Sequence, residues 1–264
     1  MRVALIQLEV SDRPKSQSIA RVRKTLADLK ECDLAVLPEL WNIGYFSFDR
    51  YQTEAEPLDG ETVAVLADCV RKLGIYCLAG SIIESQNNKF YNTSVMFDPR
   101  GELVATYRKI HLFSYESQED ELLTPGEQIG LVETNLGRFG IVTCYDLRFP
   151  ELFRSLVKAG AECFLVIAAW PYPRLEHWLL LNRVRALENV AFLIACNCVG
   201  NNRGKQFLGH SMCVDPWGIP IAMTGDRETV VYSDIDIAYV ATARREFPAL
   251  LDWLKSEPLE HRKG

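Results

Sequence analysis

The chain has 264 residues, a formal net charge of −6, and 48% hydrophobic against 24% charged residues. A chain of this length and composition can bury a sizeable core without disulfides or metal. The acidic balance argues against a nucleic-acid partner, which would require a basic face. No apolar run approaches the roughly 18 residues of a membrane span, so we expect no membrane partner either.

The eight cysteines predict free thiols rather than bridges or ligands. Most lie inside apolar runs, where cysteine behaves as a small buried hydrophobe. Their spacing resembles neither a disulfide framework nor a zinc site, so we predict no metal and a reducing compartment. The first apolar run, residues 3–8, is too short for a signal peptide. We therefore predict a cytoplasmic protein. The cysteines are Cys32, Cys69, Cys77, Cys144, Cys163, Cys196, Cys198 and Cys213.

The first half of the chain alternates strands with helices. Short runs rich in Val, Ile and Leu predict strands, and apolar residues three to four positions apart predict helices. The turn sequence Asp98-Pro99-Arg100-Gly101 closes a hairpin with a strand at 103–107. In chain order, the elements before that turn are a strand at 3–8, a helix at about 14–30, a strand at 33–37, a helix at about 60–73, and strands at 75–80 and 92–97.

The second half repeats this order. A second turn, Asp215-Pro216-Trp217-Gly218, closes a hairpin with a strand at 219–223, in a place equivalent to the first turn. The chain therefore consists of two β-α-β-α-β-hairpin halves. The elements before the second turn are a strand at 139–144, a helix at about 150–158, a strand at 162–169, a helix at about 176–188, and strands at 192–198 and 211–214.

Two architectures can cover the apolar faces of these elements. Near-continuous apolar runs suit one doubly wound parallel sheet, and they also suit two packed sheets with helices outside. The hairpin in each half indicates mixed sheets, which favours the second arrangement. We predict an α/β protein (α+β by some schemes), a four-layer αββα sandwich of two mixed sheets. We expect residues 1–264 to form a single domain.

Two of these strands are followed by charged residues. Glu39 follows the apolar run at 33–37 and Pro38. It could cap a turn, or it could be a desolvated carboxylate with a raised pKa that acts as a general base. Lys109 follows the strand at 103–107, where a cation is usually solvated. Nearby, His111 could be a metal ligand or a base, but a lone histidine among apolar residues is more often hydrogen-bonded structure.

Cys144 differs from the other seven cysteines because a polar sequence follows it at the end of a strand. Cys144-Tyr145-Asp146-Leu147-Arg148 stands between a buried run and a helix, which is the position of a nucleophile elbow. Backbone N–H groups and a nearby cation would lower the pKa of the thiol there. The alternative is one more buried cysteine. The polar residues favour a reactive one.

Three motifs together resemble those of the nitrilase superfamily. They are Leu37-Pro38-Glu39, Arg108-Lys109-Ile110-His111-Leu112 and the segment from Cys144 to Glu151, in the order and spacing of that superfamily. The resemblance implies a triad of Glu39, Lys109 and Cys144 that hydrolyses a C–N bond through a thioester, with no cofactor. Lys109 and the backbone N–H of Tyr145 would stabilise the oxyanion. It also implies a homodimer or higher homo-oligomer of αββα sandwiches.

A further glutamate of the superfamily's active site precedes a Pro-Gly turn. Here that turn is Pro125-Gly126, and the matching residue is Glu119. Its neighbours Glu116 and Glu121 remain alternatives. A Cys-His hydrolase is the rival chemistry, and its base would be His111, His177 or His210.

The substrate is predicted from a resemblance to the omega-amidase branch of the superfamily. These enzymes release the terminal amide of small 2-oxo acids such as 2-oxoglutaramate, and the expected pocket residues are Tyr45, Tyr145, Trp170, Arg174 and His210. Hydrolysis of N-carbamoyl amino acids or aliphatic amides stays open, and a nitrile is the least favoured substrate. A catalytically silent binding protein on the same scaffold is the alternative from another class. The matching segments are Cys144 to Pro150, Trp170-Pro171-x-Pro173-Arg174-x-x-His177-Trp178, Arg185-Ala186-x-Glu188-Asn189, and Gly209-His210-Ser211 with Asp215 to Gly218.

The end of the chain carries an apolar stripe. From Phe247 onward it contains Leu250, Leu251, Trp253 and Leu254 before a charged terminus. We expect this tail to contribute to a subunit interface, although packing on its own domain would satisfy the same residues.

Overall fold

A computed structural model describes residues 1–255. The strands are β1 Arg2–Gln7, β2 Leu34–Val36, β3 Tyr76–Gln86, β4 Lys89–Phe97, β5 Leu103–Arg108, β6 Gly130–Thr134, β7 Gly137–Thr143, β8 Cys163–Ala168, β9 Phe192–Asn197, β10 Val199–Asn202, β11 Lys205–Leu208, β12 Met212–Val214, β13 Pro220–Met223 and β14 Thr229–Asp234. The α-helices are α1 Lys15–Ala27, α2 Tyr51–Glu54, α3 Glu61–Leu73, α4 Glu119–Leu122, α5 Pro150–Lys158, α6 Leu175–Asn189, α7 Tyr239–Glu246 and α8 Ala249–Lys255, with 3-10 turns at Phe48–Arg50 and Cys144–Arg148.

Two six-stranded mixed sheets form the centre of the protein. One has the order β14-β1-β2-β3-β4-β5 and the other the order β13-β12-β9-β8-β7-β6. In the first, β1, β2 and β3 are parallel and the outer strands antiparallel. In the second, β7, β8 and β9 are the parallel strands. The two halves therefore share one topology, as the sequence predicted.

The two hairpin turns also share their geometry. Asp98 accepts hydrogen bonds from the backbone N–H groups of Arg100 and Glu102, both at 2.9 Å. Asp215 accepts the corresponding bonds from the backbone N–H groups of Trp217 and Ile219, again at 2.9 Å. Gly101 and Gly218 each take a positive φ, of 73° and 77°, which glycine adopts without strain. Similar chemistry at both turns produces the same hairpin.

Three apolar cores separate the four layers. Alternate residues of a strand point to opposite faces of its sheet. In β1, Val3 and Leu5 therefore enter a central core between the sheets, together with Leu165 and Ile167 of β8. The opposite faces pack on α1 and α3 in one half and on α5 and α6 in the other. This arrangement confirms the predicted αββα sandwich.

Four strands were not predicted from the sequence: β10 and β11, which form a separate two-stranded sheet, and β6 and β14, which lie at rims of the two large sheets. β14 pairs with β1 at one rim, and β6 pairs with β7 at the other. Both are partly exposed along their length, so they lack the continuous apolar runs by which the buried strands were recognised. Edge strands with mixed polarity give a weak periodic signal.

The C-terminal helices only partly match the expected interface tail. Leu250 is 3% exposed and packs in the core beneath α5 and α6, so it belongs to its own sandwich. Leu251 is exposed. The side chain of Leu254 and residues 256–264 lie outside the described part of the chain. No helix among residues 1–255 is long and apolar enough to cross a membrane.

Candidate active site

The predicted reactive residues follow the carboxyl ends of strands in the two facing sheets. Glu39 comes after β2 and Cys144 directly after β7. Ala169 follows β8, the counterpart of β2, and its backbone N–H donates to Glu39 Oε2 at 2.9 Å. Because the carboxyl ends of parallel strands open on one edge of a sheet, the sandwich brings these segments together at one cleft.

Cys144 occupies a sharp strand-to-helix turn. Its φ is +50°, in the left-handed region that few residues other than glycine adopt. The 3-10 turn that it begins is capped reciprocally by the side chains of Thr143 and Asp146. A non-glycine residue strained in this way is frequent at catalytic turns. The predicted strand-to-helix turn is therefore present at Cys144, and its role as a nucleophile elbow stays a prediction.

Asp146 holds the elbow against the segment that carries Lys109. This buried carboxylate accepts hydrogen bonds from Thr143 N at 3.1 Å and from the Tyr107 hydroxyl at 2.7 Å. It also accepts from His111 N at 3.0 Å and contacts His111 Nδ1 at 2.7 Å. The ring of His111 stacks on Phe149 with centroids 3.6 Å apart. His111 is thus part of this framework, and residues 1–255 contain no cluster of His, Cys, Asp and Glu suited to a metal ion.

A buried cluster of one ammonium and two carboxylates lies beside Cys144. Lys109 Nζ donates to Glu39 Oε1 at 3.0 Å and to Glu119 Oε1 and Oε2 at 3.0 and 2.8 Å. All three side chains are fully buried. The Cys144 thiol hydrogen-bonds the Glu39 carboxylate. The four residues predicted as catalytic therefore meet at one place.

The second glutamate is Glu119 rather than either neighbour. Besides Lys109, it accepts from the Tyr45 hydroxyl at 3.1 Å and from Phe113 N at 2.8 Å. Glu116 is exposed and pairs with Lys205 at 2.8 Å, and Glu121 is exposed as well. Only the first residue of α4 reaches the ammonium among these three glutamates.

Asn92 joins this cluster and was not predicted. Its Nδ2 donates to Glu39 Oε1 at 2.8 Å and to Glu119 Oε1 at 3.0 Å. It lies within β4, and a single polar residue next to an apolar run carries no signal of function by itself. The signal that could have placed Asn92 near the site is its pairing across the hairpin with Lys109, whose backbone N–H donates to the Asn92 carbonyl at 2.9 Å.

Burial dominates the ionisation of the cluster. It raises the pKa of Glu39, opposed by the charge of Lys109 and assisted by that of Glu119. Burial by itself would lower the pKa of Lys109, but the carboxylates of Glu119 and Glu39 outweigh it and raise that pKa well above its ordinary value. Lys109 is accordingly a permanent cation, and Glu39 is a carboxylate with increased affinity for a proton.

The thiol of Cys144 differs from the sequence-based expectation. Burial, followed by the charge of Glu39, raises its pKa well above the ordinary value, and the charge of Lys109 only partly opposes this. The expected lowering was wrong because burial and the nearby Glu39 carboxylate outweigh the charge of Lys109. The resting site therefore contains a protonated thiol hydrogen-bonded to a carboxylate, which suits removal of the proton during attack.

A small pocket opens above the Cys144 thiol. Four of the five predicted pocket residues line it, namely Tyr45, Tyr145, Trp170 and Arg174. His210 is not among the lining residues; its Nδ1 lies 2.6 Å from the carbonyl oxygen of Leu208. Gly209 and His210 both take positive φ, so this segment forms a tight turn instead of a pocket wall. The remaining lining residues are Phe46, Phe113, Arg148, Ala169 and Pro171.

The pocket contains a second arginine, Arg148, which was not predicted from the sequence as a pocket residue. The guanidinium of Arg148 lies 4.9 Å from the ring centroid of Trp170, and that of Arg174 lies 5.6 Å from the ring of Phe113. Burial, and then the positive charge of Arg174, lower the pKa of Arg148. No acidic residue is among the described residues that line the cavity. Two cations thus share one small pocket, an arrangement suited to an anion.

Comparison with known proteins assigns the family. The carbon-nitrogen hydrolase family matches residues 2–245. The chain belongs to the carbon-nitrogen hydrolase family. A relative named 2-oxoglutaramate amidase, from Paenarthrobacter nicotinovorans, is 36% identical over 259 residues, which are 95% of this chain and 88% of that protein.

Solved structures of carbon-nitrogen hydrolases share the fold. One from Xanthomonas campestris, with an arsenic adduct in its active site, has a TM-score of 0.89 and 31% identity over 96% of each chain. An amidase from Nesterenkonia, with the acetamide moiety of fluoroacetamide bound covalently at its active-site cysteine, has a TM-score of 0.83 and 25% identity over 94% of this chain and 96% of that one. This chain is therefore a carbon-nitrogen hydrolase with the αββα sandwich.

Proposed function

We propose that this carbon-nitrogen hydrolase is an omega-amidase acting on small 2-oxo acid amides such as 2-oxoglutaramate, with Cys144 as nucleophile, Glu39 as base and Lys109 as oxyanion ligand. The observation that carries the proposal is the pocket itself. Cys144, Arg148 and Arg174 line it together, and no acidic residue is among its described lining residues. The relative from Paenarthrobacter nicotinovorans, named 2-oxoglutaramate amidase, supports the substrate.

The first half-reaction forms a thioester. As the Cys144 sulfur attacks the amide carbon, Glu39 removes the thiol proton, since the two groups are hydrogen-bonded. The Lys109 ammonium and the backbone N–H of Tyr145, at the start of the 3-10 turn, stabilise the negative oxygen of the tetrahedral intermediate. Protonated Glu39 then gives its proton to the amide nitrogen, the C–N bond breaks, and ammonia leaves.

The second half-reaction hydrolyses the thioester. Glu39, again ionised, removes a proton from a water molecule that attacks the acyl carbon. The second tetrahedral intermediate uses the same oxyanion donors. It collapses with release of the carboxylic acid, and the sulfur recovers the proton from Glu39. Glu119 serves as a fixed counter-charge that orients Lys109, to which it is held by two contacts of 3.0 and 2.8 Å.

The two arginines account for an anionic substrate. A carboxylate can accept two parallel hydrogen bonds from one guanidinium. A 2-oxo acid places a second acceptor, the oxo group, next to that carboxylate. Glutamine would place an ammonium there instead, close to two cations in a pocket without an acidic lining residue among those described. Repulsion between this ammonium and the two guanidiniums disfavours the amino acid as a substrate.

N-carbamoyl amino acids are the second candidate class. They also carry a carboxylate that Arg148 and Arg174 could bind, and their ureido group presents a C–N bond to Cys144. Neutral aliphatic amides and nitriles would leave both guanidiniums without a counter-ion. A silent binding protein is disfavoured because Glu39, Lys109, Cys144 and Glu119 are all assembled within hydrogen-bonding distance.

We also infer that the chain is one domain that pairs with a second copy and works in a reducing compartment, the cytoplasm. Leu180, Val184 and Leu187 are exposed along one face of α6. Arg183 Nε donates to the carbonyl of Gly218 at 2.9 Å, so the β12–β13 turn lies beside this face of α6. A contiguous exposed patch of this kind suits a subunit contact. All eight cysteines are free, which suits a reducing environment.

Ammonia release from a substrate panel tests the proposed reaction. The panel contains 2-oxoglutaramate, glutamine, an N-carbamoyl amino acid, propionamide and a nitrile. We expect 2-oxoglutaramate to have the highest kcat/KM, and Cys144→Ala to abolish its turnover. Arg148→Gln and Arg174→Gln should each lower that kcat/KM about 10- to 100-fold, the usual effect of losing a charged hydrogen bond.

Two controls make the result specific. Propionamide carries no carboxylate, so its turnover should be almost equal in wild type and the arginine variants. Arg23→Gln, at an exposed position on α1, should not alter any of the rates. If glutamine or a nitrile is the best substrate, the substrate assignment is wrong. If a folded wild-type protein releases no ammonia from any compound, the amidase proposal itself fails.

A further inference from the structure

Asn92 contacts both carboxylates of the active site. The residue is 1% exposed and lies within β4, where its carbonyl accepts from the backbone N–H of Lys109. Its two amide hydrogens are divided between Glu39 Oε1 and Glu119 Oε1, at 2.8 and 3.0 Å. Its Oδ1 is buried without a hydrogen-bond partner in the described part of the chain. Charge fixes this orientation, since the reversed amide would turn its oxygen toward two carboxylates.

The two carboxylates have different surroundings. Glu119 accepts from Lys109, Asn92, the Tyr45 hydroxyl and the Phe113 N–H, so both of its oxygens are saturated. Glu39 Oε1 accepts once from the ammonium and once from Asn92, and its remaining capacity is directed to the Ala169 N–H and the Cys144 thiol. Only one of the two carboxylates is therefore in a position to exchange a proton with the nucleophile.

We propose that Asn92 is a positioning residue. Its side-chain amide donates to both Glu39 and Glu119, which keeps the two carboxylates apart and keeps Glu39 available as the proton acceptor. The inference rests on the proposed function, in which Glu39 is the base. Two carboxylates next to a single ammonium leave the cluster with one negative charge in excess. Without a neutral donor between them, one proton would be shared by the carboxylates instead of being drawn from Cys144.

The proposal makes a prediction about pH that a purely structural role does not. A hydrogen bond to the charged form of an acid favours that form. Removing the Asn92 amide should therefore keep the Glu39 carboxyl group protonated over a wider range of pH. The base is then lost at neutral pH and recovers only when the solution is more alkaline.

The experiment compares Asn92→Leu and Asn92→Ala with the wild type. Leucine keeps the volume and alanine relieves any overpacking, so at least one variant should fold. We expect the acidic limb of kcat/KM against pH to move upward by about one pH unit. The rate at pH 6 should therefore fall by up to about 10-fold more than the rate at pH 9. The rate of Cys144 alkylation by iodoacetamide, which requires no substrate assignment, should show the same displacement.

Asn182→Leu is the matched control. Asn182 is also fully buried, donates one Nδ2 bond at 2.8 Å to Trp178 O, and has an Oδ1 without a partner in residues 1–255. It lies on α6 and does not contact the cluster, so its variant should lose stability with an unchanged pH profile. An unchanged limb in folded Asn92 variants of an active wild type would overturn the inference. A wild type that turns over no amide would instead indicate failure of the proposed function, and alkylation would then decide the role of Asn92.

Discussion

At the scale of single residues, the active site depends on unequal treatment of two glutamates. Both are fully buried, but Glu119 is saturated with donors while Glu39 faces the thiol. Burial raises the pKa of Glu39 above its ordinary value of 4.5. The same desolvation that makes the carboxylate costly to ionise also makes it a stronger base toward Cys144.

Glu39→Gln should separate activity from stability. Glutamine keeps the size of the side chain and cannot accept the thiol proton, so kcat should fall roughly 10²- to 10⁴-fold. Lys109 would keep Glu119 as its counter-ion, and the cluster would become neutral. We expect the melting temperature to stay equal or rise, as measured by calorimetry at neutral pH. Near wild-type turnover in this variant would show that the base lies elsewhere.

The sign of the pH effect on stability follows from the same pKa. Because the pKa of Glu39 is raised in the folded chain, ionisation is easier in the unfolded chain. Its contribution to stability is fully present below the unfolded pKa and is lost as pH rises through the folded pKa. Glu39→Gln should remove this component from a plot of unfolding free energy against pH. If the plot for Glu39→Gln keeps the wild-type slope above pH 4.5, the raised pKa of Glu39 in the folded chain is contradicted.

At the scale of elements, the nucleophile is positioned by the connection of two strand ends. Asp146 receives hydrogen bonds from the elbow after β7 and from the segment that follows β5. On the other side of the cleft, Gly80 lets the Glu39 loop approach β3, since a Cβ there would lie 2.2 Å from the Pro38 carbonyl oxygen. The catalytic groups are thus fixed by backbone positions in three different strands.

Asp146→Asn tests the connection between the elbow and the Lys109 segment. Asparagine keeps the volume but replaces one acceptor oxygen by an NH₂ group facing donors. We expect a loss of about 2 kcal/mol in unfolding free energy by urea denaturation. We also expect kcat to fall about 10-fold with little change in KM, because the thiol and Lys109 lose their mutual alignment.

Asp98→Asn provides the comparison for that variant. Asp98 also accepts two backbone hydrogen bonds, at the hairpin between β4 and β5. Its loss should lower stability without changing kcat. If Asp146→Asn behaves like Asp98→Asn, the Asp146 network supports the fold only.

At the scale of the whole molecule, the repeat of one topology explains where the cleft lies. β1, β2 and β3 correspond to β7, β8 and β9, and the two sheets share a central core. Packing the repeats against each other brings the segment after β2 next to the segment after β8, as in the Ala169–Glu39 hydrogen bond. The outer face of α6 remains apolar and exposed in the single chain.

Leu180→Glu should interfere with pairing of two copies. Leu180 is 55% exposed in the single chain, so a charge there should not disturb the fold of the sandwich. Light scattering after gel filtration should give a dimer or larger assembly for wild type and a monomer for the variant. Leu103→Glu, at an exposed position on β5 in the other sheet, should leave the assembly unchanged. A wild type that is monomeric at micromolar concentration would refute the proposed contact.

The two hairpin turns favoured the sandwich, and the sequence by itself determined the buried strands and the helices α1, α3, α5 and α6. It did so because continuous apolar runs and 3.6-residue periodicity report burial directly. It also singled out Glu39, Lys109 and Cys144, because charged and polar residues at the ends of such runs are conspicuous and their order resembles known motifs. The strands β6, β10, β11 and β14 were not predicted, since short or half-exposed strands carry no such pattern and no recognisable turn sequence marked them.

Only the tertiary structure decided the identity of the second glutamate, the contribution of Asn92, the presence of Arg148 in the pocket and the absence of His210 from its lining. Each depends on a contact between segments far apart in the chain, such as Asn92 with Glu39. It also reversed the expected pKa of Cys144. The charges near a residue can be read from a sequence, but how far water is excluded and which charges are already paired are properties of the packed molecule.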